Sequence, residues 1–269
     1  MKIVFRAIAQ DGPYFRNQFG SIISPTEFRI SWDPRLTDRA ILLNELLAPI
    51  VADSKKHKLV RLGSVGDGGY FLPDYFRECD GVISGGISDN NDFESDLASS
   101  NIPVLQFDHS IVEPPISGEL LFFKRERLGN GGCSLVDTLR EFREATGKTL
   151  TDGILKLDIE GSEFDFLSSS EVNDLLNFSI IVVELHYLGD IYQDNYWIKV
   201  EDTLRKIRQN HKPITVIGNN SRAFVQLGGI PIYDIVEVTF IRNSAIVPAI
   251  ENNEALTTQI EGRAALRIR

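Results

Sequence analysis

The sequence predicts an α/β fold, an open and mostly parallel sheet with helices on both faces and an antiparallel pair of strands at its end. Three observations predict it. Short apolar runs suited to buried strands alternate with stretches of helical periodicity, as parallel strand–helix–strand units require. One such unit, LKLDIEGSEFDFL from Leu155 to Leu167, reads as a strand, a tight turn and a helix start, with Asp158 at the strand's carboxyl end. A second apolar run, Ile102 to Asp108, ends in an acid 23 positions after Gly85. An acid about 20 residues beyond a glycine loop is the spacing at which nucleotide-binding sheets hold a ribose.

In chain order, residues 1 to about 34 read as an irregular segment punctuated by Pro13, Pro25 and Pro34, with Trp32 and several Phe residues arguing for order. A helix is predicted from Leu36 to about His57, capped by Thr37 or Asp38 and kinked at Pro49. Gly63, Gly66, Gly68 and Gly69 crowd the stretch RLGSVGDGGYFLPD. Asp67-Gly68 there is a hairpin dipeptide, and such backbone can also approach a ligand closely. Gly81 to Ile87 is the first core strand, running into the loop GGISDNND with Gly85 and Gly86 and then a helix over Phe93–Ser99. Leu120–Arg125 is a third strand, and Ser134 caps a helix over Leu135–Ala145 with Leu135, Leu139 and Phe142 inward. After the Asp158 unit come a buried strand at Phe178–Glu184, closed by His186, and an amphipathic helix at Trp197–Asn210 with Ile198, Leu204 and Ile207 inward. Pro213–Gly218 and Asp234–Ile241 are the last two strands, joined by a connection suited to a hairpin. These readings divide the chain into an extension and helix at 1–57, a core domain at 58–250 and a tail at 251–269.

Composition narrows the function. Lys plus Arg is 28 against 38 for Asp plus Glu, a formal net charge of −10, which lacks the electrostatic footprint of a nucleic-acid binder. No stretch reaches the roughly 20 apolar residues of a membrane span. Cys79 and Cys133 are too few for a four-cysteine zinc site or a disulfide framework, which fits free thiols in a reducing cytoplasm.

Read alone, Asp158 is either a functional carboxylate or a cap of the next helix, and Asp108 is either a ribose acceptor or a cap for the loop holding His109 and Ser110. KLDIEGSE resembles the signature K-[IL]-D-[IV]-E-G-x-E of FkbM-type S-adenosylmethionine-dependent methyltransferases. More closely, the chain resembles a related group of methyltransferase-like proteins. That group shares a GDGGY element, here Gly66 to Tyr70, and an NN…EVTF element, here Asn219, Asn220 and Glu237 to Phe240. The elements occur in order from about Leu59 to Arg242.

This resemblance implies a Rossmann-like class I methyltransferase sheet binding S-adenosylmethionine, with the cofactor bordered by Asp67, Gly68, Gly69, Gly85, Gly86 and Asp108. Methyl transfer to oxygen needs a base or a metal ion beside the hydroxyl. His186 fits the base, and the resemblance implies that Asp158 and Glu184 either hold Mg²⁺ or act directly. A salt bridge or helix caps remain the plainer reading of that acid pair. The expected substrate is a small-molecule or carbohydrate hydroxyl; oligomeric state is not legible. The competing readings are a nucleotide-binding protein without methyl transfer, which would favour a G-x-G-x-x-G turn that the chain lacks, and a non-catalytic module keeping only the fold.

Overall fold

The computed structural model describes residues 5–7, 15–16, 22–23, 28–31, 33–49, 57–65, 67–219 and 224–243. The expected tail at 251–269, most of the extension before Asp33, and Gly66 and Asn220 of the quoted elements lie outside the described residues.

Seven strands build the central sheet: β7 (Val82–Gly85), β8 (Val104–Phe107), β9 (Leu121–Lys124), β10 (Gly153–Leu157), β11 (Phe178–Leu185), β12 (His211–Gly218) and β15 (Val236–Arg242). Their order is β12-β15-β11-β10-β7-β8-β9. The pairs from β9 through β11 are parallel, while β15 runs antiparallel to both β11 and β12. The sheet is therefore Rossmann-like, with the expected antiparallel end. The chain enters at β7, runs outward through β8 and β9, and returns to β10 on the other side of β7. The carboxyl ends of β7 and β10 thus form the switch point where such sheets take ligands.

Strand alternation assigns the layers. Leu155, Leu157, Ile181 and Val183 face a core shared with helices α1 (Pro34–Leu47), α3 (Leu135–Thr146), α4 (Glu163–Ser168) and α6 (Asp194–Asn210). Val82, Val104, Ile154, Ile180 and Val182 face the opposite core, closed by α2 (Asp92–Ser99) and by the hairpin of β5 (Leu59–Gly63) and β6 (Gly69–Pro73). On that second face the side chains turn polar toward the switch point: Ser84, Gln106, Lys156, Asp158 and Glu184 follow the apolar residues on alternate positions. The hairpin is tied down by Gly63 N–H donating to Asp96 at 2.7 Å and by Thr239 Oγ1 donating to the Phe71 carbonyl at 2.7 Å.

Two expectations need correction. Helix α1 stops at Leu47, so Pro49 lies past its end and does not kink it; the chain is already extended at Ala48 (ψ 124°), and the start is capped by Asp33, whose carboxylate accepts from Arg35 N–H at 3.0 Å. Ile198 points outward and is 56% exposed, because α6 begins at Asp194 and its buried face runs through Trp197, Val200, Leu204 and Ile207. The connection between β12 and β15 holds a hairpin of its own, β13 (Phe224–Leu227) and β14 (Ile230–Tyr233). It joins β1 (Phe5–Ala7) and β4 (Phe28–Ser31) in a separate four-stranded sheet that the sequence reading did not foresee. Among the described residues no helix is long and apolar enough to cross a membrane.

His211 opens β12 with its side chain 1% exposed, and its Nε2–H donates to the Phe178 carbonyl at 2.8 Å. Burial pushes the imidazole down from 6.5 to about 4. The unfolded chain therefore takes up a proton first, so this contribution is complete above about pH 6.5 and is lost as pH falls toward 4, by about 3 kcal/mol. Urea unfolding at pH 7 and pH 4.5 should show a smaller acid loss in His211→Gln than in the parent protein. Equal losses would contradict the assignment.

Candidate active site

The backbone prepares the switch point before any side chain does. Asp158 N–H donates to the carbonyl of Gly85, the last residue of β7, at 3.0 Å, extending the β7–β10 ladder one residue past β10. Gly86 then turns with φ +78°, and a Cβ there would lie 1.7 Å from the Asp158 carbonyl oxygen, so no other residue fits. Three non-glycine residues just beyond β7, β10 and β11 also sit at positive φ: Ser88 at 47°, Glu160 at 55° and Tyr187 at 60°. Such strained backbone tends to concentrate at functional edges.

Asp158, Glu184 and His186 each direct a donor atom into one cluster, all within 4.8 Å of one another. Tyr70 Oη donates to Asp158 Oδ2 at 2.6 Å, and Lys156 Nζ stands 4.0 Å from the same oxygen. Asn219 Nδ2 donates to Glu184 Oε1, and Glu237 lies directly across the β11–β15 ladder from Glu184. His186 Nδ1 is 3.0 Å from Glu163 Oε1, while its Nε2 is 3.6 Å from Glu160. The fully buried Glu163 carboxylate also accepts the backbone N–H groups of Ile159 at 2.9 Å and Gly161 at 3.2 Å. One side chain thus fixes both the DIEGSE turn and the ring of His186.

The electrostatics separate the two clustered acids. Burial would raise the Asp158 carboxyl, but Lys156, the Tyr70 hydroxyl, Glu184 and His186 together hold it below the ordinary value. Burial and the charge of Asp158 push Glu184 up, against the pull of His186 and Asn219. For His186 burial acts downward, yet the hydrogen bond and charge of Glu163, with Glu184 and Asp158, raise the imidazole. The shifts thus drive the two acids apart, Asp158 toward its charged form and Glu184 toward its protonated form.

The other expected residues take different places. Gly85 and Gly86 end β7 beside Asp158, and Gly85 also packs against Leu128. Asp67 and Gly68 form the hairpin tip, where Asn90 Nδ2 reaches the Asp67 carbonyl at 3.3 Å, and Gly69 opens β6. Asp108 stands beside the glycine loop, but its carboxylate is already engaged. Oδ2 accepts from Ile87 and Ser88 N–H at 3.0 and 2.8 Å, and Oδ1 accepts from Ser110 N–H and Oγ at 2.7 and 2.6 Å. These bonds depress its pKa against the effect of burial.

Sequence reasoning gave no role to Tyr70, Lys156, Glu163 or Asn219. Their signal was present: Tyr70 and Asn219 belong to the quoted GDGGY and NN elements, and Lys156 and Glu163 flank Asp158 in the signature. What could not be read was that separate elements meet at one carboxylate pair. Glu163→Ala should cost about 3 kcal/mol or more, since it leaves buried donors without an acceptor. Urea unfolding reads this, and a loss under about 1 kcal/mol would show that water replaces the carboxylate.

Residues 136–211 match the family described as the methyltransferase FkbM domain. No curated protein matches the chain. The matched stretch covers nearly all of α3, then β10, α4, β11 and α6, and ends on the first residue of β12. The segment that supplies Asp158, Glu163, Glu184 and His186 is therefore the one that is similar to the methyltransferase FkbM domain.

Proposed function

We propose that the protein is an S-adenosylmethionine-dependent methyltransferase acting on a hydroxyl of a small molecule or carbohydrate. The observation that supports it is the convergence of Asp158, Glu184 and His186 at the switch point, beside the glycine loop and inside the FkbM match. The cofactor, when bound, supplies an electrophilic sulfonium methyl group. The protein must align the acceptor oxygen and take its proton.

The residues fit that cofactor. The loop of Gly85 and Gly86 lies at the strand ends where a ligand enters, and Asp108 is the acid beside it. A ribose hydroxyl would compete with the Ser110 hydroxyl for Asp108 Oδ1, the one of its four protein donors that a side-chain rotation can withdraw. At the reacting end, Asp158 is held ionised by its partners, and His186 is steered by Glu163 and faces the same space, so these two are the groups placed to take the acceptor's proton.

A divalent cation also fits the donor set of Asp158, Glu184 and His186. The Glu163 carboxylate on the far ring nitrogen is the support that metal-bound histidines commonly have. Such an ion would lower the pKa of the acceptor hydroxyl. The imidazole nitrogen makes the set less suited to Mg²⁺, which prefers oxygen, than to Mn²⁺ or Zn²⁺. The acidic charge and lack of a basic run support a partner other than nucleic acid, and the two free thiols support a cytoplasmic location.

S-Adenosylhomocysteine should raise the melting temperature of the parent protein, because it binds only the folded state. Asp158→Asn and His186→Ala should keep that shift and lose about a hundredfold or more in turnover on a screened acceptor. A chelator that abolishes turnover, with recovery on adding Mn²⁺ or Mg²⁺, would assign the metal role; indifference to chelator would leave the proton transfer to Asp158 or His186. Parental turnover in both variants, or no shift with the parent protein, would refute the proposal.

A further inference from the structure

We infer that Lys156 is a positioning residue that clamps the Gly86–Ile87 peptide of the glycine loop from the side opposite Asp108. The inference rests on the reading of that loop as the cofactor-binding loop. Lys156 is the penultimate residue of β10 and is only 3% exposed, where an ammonium is costly unless its partners are fixed. Two carboxylates attract it, Glu94 Oε1 at 3.9 Å and Asp158 Oδ2 at 4.0 Å, both beyond hydrogen-bond length. The ring of Tyr70 lies 5.3 Å from Nζ. Its hydrogen bond goes elsewhere, to the carbonyl oxygen of Gly86.

That carbonyl and the N–H of Ile87 belong to one peptide plane. Lys156 holds its oxygen, and Asp108 Oδ2 holds its N–H at 3.0 Å. The next N–H, that of Ser88, goes to the same carboxylate oxygen at 2.8 Å. The loop is thus pinned at both poles of a single dipole, by a cation on one side and an anion on the other. Glu94 lies against the same ammonium from α2: it is fully buried and accepts from Ser84 Oγ, and burial raises its carboxyl against the pull of Lys156, so the clamp does not depend on its charge. A lysine serving only as a counter-ion for Asp158 would need no bond to the loop.

Lys156→Met alone leaves the buried Glu94 carboxyl without its neighbouring cation and is prone to unfold. The informative variant is therefore Lys156→Met with Glu94→Gln, compared with Glu94→Gln alone and with Lys156→Arg. Affinity for S-adenosylhomocysteine is measured by calorimetry, and amide exchange is followed through residues 85–88. The double variant should melt cooperatively, bind about tenfold or more weakly and exchange faster at Ile87 and Ser88. Glu94→Gln should stay close to parental, and Lys156→Arg should recover part of the affinity. Parental affinity and protection in the double variant, or an equal loss in Glu94→Gln alone, would overturn the inference. If the parent protein itself binds no S-adenosylhomocysteine, the methyltransferase reading fails. Exchange then decides alone: faster exchange at Ile87 and Ser88 supports the clamp, and unchanged exchange overturns it.

Discussion

A carboxylate at the end of a strand buried on both faces has to be matched by charge or hydrogen bonds, and much of this structure answers to that demand at Asp158. Lys156, two residues earlier on the same face of β10, brings a cation to 4.0 Å. Tyr70 brings a hydroxyl, and because it sits on β6, the β5–β6 hairpin must close over the sheet for the bond to form. His186 arrives from β11 with its ring set by Glu163, itself part of the turn that follows Asp158. Asp158 thus joins the central sheet, the hairpin and the turn before α4 into one polar edge.

The topology explains why the edge lies there. The crossover from β9 back to β10 leaves the carboxyl ends of β7 and β10 side by side, with loops diverging to opposite faces. Period-two alternation puts Ser84, Lys156, Asp158 and Glu184 on one face of adjacent strands. The hairpin and α2 cover that face, and α3, α4 and α6 leave it free. The chain departs from apolar core on this face where a reaction centre would need charge, and keeps the other face apolar to the same depth.

Much of this was legible in the sequence. The buried strands announced themselves as apolar runs, and Asp67-Gly68 announced the hairpin. Ser134 proved to cap α3, in a reciprocal arrangement with Asp137. Boundaries slipped where tertiary contact overrode pattern: Ile198 met the helical spacing but not the buried face that Trp197 and Val200 define. The second sheet was not legible, because β13 and β14 are short and their partners lie at the other end of the chain. At the site, sequence pointed to Asp158, Glu184 and His186, which converge. It did not show that Tyr70 and Asn219 would hold the two acids, since both reach them across gaps in sequence of 88 and 35 residues.

The central claim is that the Asp158 edge is where a methyl group is handed over. A crystal structure of the protein with S-adenosylhomocysteine tests it directly, since the ligand's sulfur marks where that methyl group would be attached. The account predicts the homocysteine along the Gly85–Ser88 loop, the ribose against Asp108 with the Ser110 hydroxyl turned away, and the sulfur facing Asp158 and His186. A ligand seated with its sulfur remote from Asp158, Glu184 and His186 would contradict it.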